Sequence, residues 1–122
     1  MFTPKIIEQF NNTPTPFYHY DMSVLEQTLV ALTNEADHYN YHVHYALKAN
    51  SNNNILTTIQ QHGLGADCVS GNEILKAVEC GYDGSTIAFA GVGKSDQEIN
   101  IGLDHDIFCF NCESIPEIEV IN

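Results

Sequence analysis

Lys48 stands at the end of a run that otherwise suits a strand, Tyr45-Ala46-Leu47-Lys48-Ala49-Asn50-Ser51. Alternate residues of a strand share a face, so His44, Ala46 and Lys48 are expected to point one way and Val43, Tyr45 and Leu47 the other. The second set is bulky and apolar enough to pack beneath helices. The first would line the inside of a barrel, with Lys48 at the carboxyl end where barrel active sites lie. A lysine partly desolvated there has more of its amine neutral and able to attack a carbonyl carbon, which is what an imine-forming lysine requires. Spacing alone serves equally well for a lysine that ends a strand and reaches into water.

Other residues carry weaker chemical signals. Gly91-Val92-Gly93-Lys94-Ser95 has the tail of a phosphate-binding loop, but the full pattern needs a glycine five positions before Gly93, where Ala88 stands. Lys94 follows the carboxyl end of a predicted strand and is placed to line the mouth of a site there. Cys109 and Cys112 form a CxxC, yet no second CxxC and no nearby histidine pair completes four metal ligands, so no metal centre is assigned. The cysteines at 68, 80 and 109 lie in apolar surroundings and read as reduced, hydrophobe-like thiols. Serines 23, 70, 95 and 114 each precede a glutamate by three residues and a helical pattern, so they read as helix caps rather than nucleophiles.

The elements that must position these side chains recur. After Pro14-Thr15-Pro16, Phe17–Tyr20 suggests a short strand, and Ser23 opens a helix with Val24, Leu25, Leu29, Leu32 and Ala36 on one face. Four strand-helix units follow. Their strands are predicted at 42–48, 66–69, 86–90 and 106–110, with helices opening after each and glycines 63 and 81 closing the first two. That rhythm predicts an α/β fold with a parallel sheet and crossover helices, either doubly wound or part of a barrel. A complete eight-fold barrel needs ~250 residues, so a barrel reading makes these 122 residues about half of one. The last helical pattern runs to the chain end without a stop signal, which adds to the expectation of an amino-terminal piece.

Composition narrows the partners. The chain is 43% apolar, with 16 acidic residues, 4 lysines, no arginine and a net charge of −12. A nucleic-acid backbone or an anionic membrane surface would be repelled. The start shows no secretory or transmembrane pattern, so a cytoplasmic protein is expected. Exposed sheet edges in a half barrel would invite pairing, and a homodimer or larger homo-oligomer is expected.

The segment YALKANSNNNIL resembles the lysine-bearing segment of the alanine-racemase-like, pyridoxal-phosphate-dependent barrel decarboxylases of amino acids. Four further stretches are similar to that family in the same order: TPFYHYDMSVL, GLGADCVSGNEILKAVECGY, AFAGVGKSDQEI and FNCES. Within the family, VSGNE and GVGKSDQEI resemble the diaminopimelate branch. The resemblance implies half of a (β/α)8 barrel, with residues 1–22 leading in and 23–122 forming its amino-terminal half. It also implies a carboxy-lyase that converts meso-2,6-diaminopimelate, a small amino-acid substrate, to L-lysine in lysine biosynthesis, the piece alone being inactive. By the same resemblance Lys48 would hold pyridoxal 5'-phosphate, Asp67 would lie near that bond and Ala46 under the cofactor. An ornithine- or arginine-type barrel decarboxylase, a racemase, and a non-catalytic α/β binding or assembly module are the alternatives. The family's phosphate cradle, ring-nitrogen partner and substrate arginines have no counterpart in these residues.

Overall fold

This computed structural model describes residues 2–122. Four strands, β1 (His44–Ala46), β2 (Gly65–Cys68), β3 (Ile87–Phe89) and β4 (Cys109–Phe110), form one sheet in the order β1-β2-β3-β4, every neighbouring pair parallel. Each strand is joined to the next by a helix: α3 (Asn53–Gln61), α4 (Gly71–Glu79) and α5 (Asp96–Asp104), with α6 (Ile115–Ile121) following β4. A doubly wound sheet reverses its strand order at a switch point. This one never does, so the open alternative gives way to a barrel segment. Right-handed crossovers then stack successive helices on the same side.

That side holds the core. Leu47, Leu56, Ala66, Cys68, Ile74, Ala77, Ile87 and Phe89 make one buried cluster in which β2 and β3 meet α3 and α4. A second cluster, Leu29, Ile55, Ile59 and Leu64, seats helix α2 (Met22–His38) on α3. The contact stripe of α2 runs through Leu25, Leu29 and Ala36. Val24 and Leu32, expected on the same face, sit at its margins and are exposed.

The caps differ from expectation at one end. Ser70, Ser95 and Ser114 each accept the N–H of the glutamate three residues on, as the sequence predicts. Ser23 does not cap α2. Asp21 does, accepting from Ser23 N and Val24 N, because its carboxylate already lies one residue outside the first turn. The strand expected at 17–20 does not form; among the described residues this segment has no regular structure and no ladder partner. It is held instead by aromatic contacts to a helix the sequence reading missed, α1 (Pro4–Asn11), where the Phe10 ring lies 5.3 Å from Phe17 and 4.9 Å from His19. Thr3 as cap and Pro4 in the first turn were its legible signal.

The glutamates of the caps do more than close their own helices. Glu73 Oε2 accepts from Val69 N at 2.7 Å, Glu98 accepts from Ser95 N and from Gly71 N of the preceding unit at 3.1 Å each, and Glu117 accepts from Glu113 N at 2.6 Å. Glu98 thereby ties its own loop to the start of α4, while Glu73 and Glu117 brace the loops that precede their own helices.

Two outcomes follow. Leu56 is completely buried, and Leu56→Ala is expected to cost about 2–5 kcal/mol in urea unfolding by leaving a cavity. Backbone donors hold the Glu98 carboxyl below its ordinary range, and the Lys94 ammonium does the same for Glu117. A depressed folded value contributes stability that is present above the unfolded value of about 4.3 and is lost as pH falls through the folded one. The thermal midpoint should therefore drop as the pH is lowered below about 4.5, and Glu98→Gln should flatten that drop.

Candidate active site

Register decides which side chains share the face turned away from the helices. Ala46 pairs with Asp67, Asp67 with Ala88, and Ala88 with Cys109. Residues paired across parallel strands point to the same side, so these four form one row across all four strands. Their neighbours Ala66, Cys68, Ile87 and Phe89 are in the helix-side core. The row is narrow in the middle: two alanines flank Asp67 and leave a shallow floor with a single carboxylate on it.

Lys48 follows the row in a turn and is not carried by the strand itself. β1 ends at Ala46, and Leu47–Ala49 form a 3-10 turn. Within that turn Leu47 is buried in the helix-side core and Lys48 is left exposed. The expected partial desolvation of Lys48 is absent, because no part of these residues covers the open face. The turn itself is pinned. Tyr45 Oη donates to Asn50 O at 3.3 Å, Asn50 Nδ2 donates to Tyr20 Oη at 3.0 Å, and Asn50 Oδ1 accepts from Asn52 N at 3.0 Å. Asn52 in turn caps α3 through Asn54 N. Tyr20, Tyr45 and Asn50 were missed as positioning residues; the asparagine-rich run after Lys48 was the available signal. Burial pushes the Tyr45 hydroxyl up, which keeps it a donor.

The lower part of the same face is filled. His44 packs over Gly65, where an added Cβ would lie 2.5 Å from Thr86 O and 2.7 Å from His44 Nδ1, so only glycine fits. A cavity of about 620 Å³ opens at that amino-terminal edge, bordered by His42, His44 and His62. A smaller one of about 380 Å³ lies behind the Lys48 turn, between Tyr20, Leu25, Tyr45 and Ile59. Neither contains Lys48 or Asp67. The carboxyl edge is the better candidate because loops there converge on the row, as in other barrels, and because it alone offers an amine and a carboxylate together.

The cysteines divide. Burial, with the Glu73 and Asp67 carboxylates nearby, pushes the Cys68 thiol up to about 12, so it behaves as a small hydrophobe. Cys109 lies on the row, its thiol pushed up by burial and by the Asp67 carboxylate. Cys112 is exposed on the following loop, and both thiols are free. Among the described residues no three metal-ligating side chains converge. Lys94, expected to line the mouth, is instead withdrawn: its side chain is 1% exposed and all its donors are engaged.

Comparison with known proteins agrees with this arrangement. Residues 23–122 match the family described as pyridoxal-dependent decarboxylase, pyridoxal binding domain. Diaminopimelate decarboxylase of Bacteroides thetaiotaomicron is 57% identical over 117 residues, which are 95% of this chain and 30% of that protein. The enzyme of the same name from Vibrio cholerae is 38% identical over 112 residues, 92% of this chain and 27% of its own length. The crystal structure of Helicobacter pylori diaminopimelate decarboxylase complexed with L-lysine superposes with a TM-score of 0.83 at 38% identity, covering 95% of this chain and 29% of that one. The chain thus spans between 27% and 30% of the length of these curated relatives. With a parallel barrel sheet carrying a lysine and a carboxylate at its carboxyl edge, and a family match over residues 23–122, the chain belongs to the pyridoxal-dependent decarboxylases.

Proposed function

We propose that the protein to which these residues belong decarboxylates meso-2,6-diaminopimelate to L-lysine with pyridoxal 5'-phosphate, and that Lys48, Asp67 and Ala46 form part of its cofactor site. The observation that carries this reading is the register row. An exposed lysine stands two residues after Ala46, in the turn at the carboxyl end of β1, and Asp67 is the direct cross-strand partner of Ala46. The residues fit the cofactor: the alanine-floored row leaves room for a flat ring, and an amine at the rim is the group that an aldehyde requires.

In this reading Lys48 Nζ would hold the cofactor and would be placed to return a proton to the substrate α-carbon. Asp67 would supply a negative charge at the same site, which would favour a cationic nitrogen there. Ala46 and Ala88 keep the floor clear of side-chain bulk. Bound cofactor supplies an electron sink for the carbanion left when carbon dioxide departs. These 122 residues contain no arginine, so a bidentate grip on a substrate carboxylate is not among their contributions, and the isolated chain is proposed to be inactive.

The same reading takes residues 1–22 as a lead-in and 23–122 as the first half of the barrel. What supports the division is the change from aromatic contacts in the lead-in to core burial from Leu29 onward. It places the protein in the cytoplasm, where lysine synthesis draws on soluble intermediates; among the described residues no helix is long and apolar enough to cross a membrane. It also takes the 122-residue chain by itself as a homodimer or larger homo-oligomer, because among the described residues β1 and β4 each leave one edge unpaired.

In the full-length gene product, added pyridoxal phosphate should give a visible absorption band that Lys48→Ala abolishes, and carbon dioxide release should be faster from meso-diaminopimelate than from ornithine. A full-length protein without any band would end the cofactor reading; a preference for ornithine would change the substrate. Asp67→Asn should retain the band but lower kcat/KM at least about tenfold through loss of a charge partner. Light scattering of the 122-residue chain at high concentration should report a species larger than a monomer.

A further inference from the structure

The GVGKS motif is left over from the function just described. Gly91 and Gly93 both have left-handed backbones, at φ +95° and +71°, and a Cβ at Gly91 would meet Val69 of the preceding loop. Two such residues fold the loop after β3 back on itself, and the Lys94 side chain returns beneath it. Its ammonium lies 5.3 Å from the centre of the Phe89 ring. It donates to Gly91 O at 2.7 Å, to Asn111 O at 2.9 Å and to Glu117 Oε1 at 2.7 Å, which uses all three of its protons. Gly91 is in the loop after β3, Asn111 in the loop after β4, and Glu117 in the first turn of α6. Glu117 holds the β4 loop a second time through Glu113 N.

We infer that Lys94 is a positioning residue for the cofactor site, a buried cation that locks the loops after β3 and β4 into one unit at the carboxyl edge where Lys48 and Asp67 lie. It does not bind phosphate, since it has no free donor, and it does not touch the reacting atoms. Its effect is transmitted by two backbone carbonyls, which no neutral side chain of similar length can grip. The row beneath these loops ends in Ala88 and Cys109, so freeing them loosens the rim above half of the floor. The cofactor part of this inference rests on the function proposed above; the coupling of the two loops does not.

The test uses the full-length protein in three forms: parent, Glu117→Gln, and the double variant Lys94→Met with Glu117→Leu. The double variant leaves no unpaired buried charge but removes the partners of Gly91 O, Asn111 O and Glu113 N, so it is expected to fold with a thermal midpoint below the parent's. Glu117→Gln retains the shape and one acceptor, and serves if the double variant does not fold. Amide hydrogen exchange should accelerate in residues 91–95 and 111–114 together, without cofactor present. The Kd for pyridoxal phosphate should rise about tenfold in the double variant, the scale of losing a group that supports a ligand's holder, and less in Glu117→Gln. Lys76→Met, which breaks the exposed pair with Glu79, should change neither. Exchange that quickens in one loop only, or a parental Kd in both variants, overturns the inference. A parent that binds no pyridoxal phosphate sinks the proposed function instead, and the loop coupling then stands or falls on the exchange result.

Discussion

The structure depends on burying one face of a four-stranded parallel sheet. Ala66, Cys68, Ile87 and Phe89 are each at most 1% exposed beneath the helices, and because strand side chains alternate, their neighbours have no choice but to face the other way. The row Ala46, Asp67, Ala88 and Cys109 is thus a consequence of core packing. A slip of one residue in any strand would put Asp67 into the apolar layer and Cys68 on the floor. The cost of an unpaired carboxylate in that layer is what keeps the site face in place.

The same packing fixes where Lys48 begins. Leu47 belongs to the helix-side core, so the chain must turn as soon as Leu47 is seated, and the 3-10 turn carries the next residue out to the rim. Tyr20, Tyr45 and Asn50 then hold the turn by side-chain hydrogen bonds across distant segments of sequence. The rim on the other side is organised by charge. Glu73, Glu98 and Glu117 each accept a loop amide, and Lys94 closes the series. An acidic chain with few cations places one of them where it is least exposed, where it binds loops together.

Much of this was legible beforehand because its causes are local. Ser70, Ser95 and Ser114 announce their helices through a spacing of three residues, and glycines 63 and 81 follow the ends of α3 and α4 with left-handed backbones. Where the reading failed, a competitor within a few residues or a partner far away prevailed. Asp21 displaced Ser23 as the cap because its carboxylate, two residues earlier, accepts the first free amides, Ser23 N and Val24 N, and starts the helix at Met22. The segment at 17–20 has strand-forming residues but no strand to pair with, and propensity without a ladder does not make a strand. β1 is shorter than its apolar run because only His44–Ala46 find ladder partners on β2, and Leu47–Ala49 turn instead.

The amino-acid sequence by itself determined the class of fold, the order of its strand-helix units and the presence of a lysine at the carboxyl end of the first strand, since periodicity and capping act within a turn or two. Only the tertiary structure decided that Asp67 stands beside Ala46, that Lys48 is carried by a turn and not by the strand, and that Lys94 is a buried clamp and not a ligand at the mouth. Those outcomes depend on register and burial between segments some twenty residues apart, and no local pattern encodes which carbonyl a lysine will find.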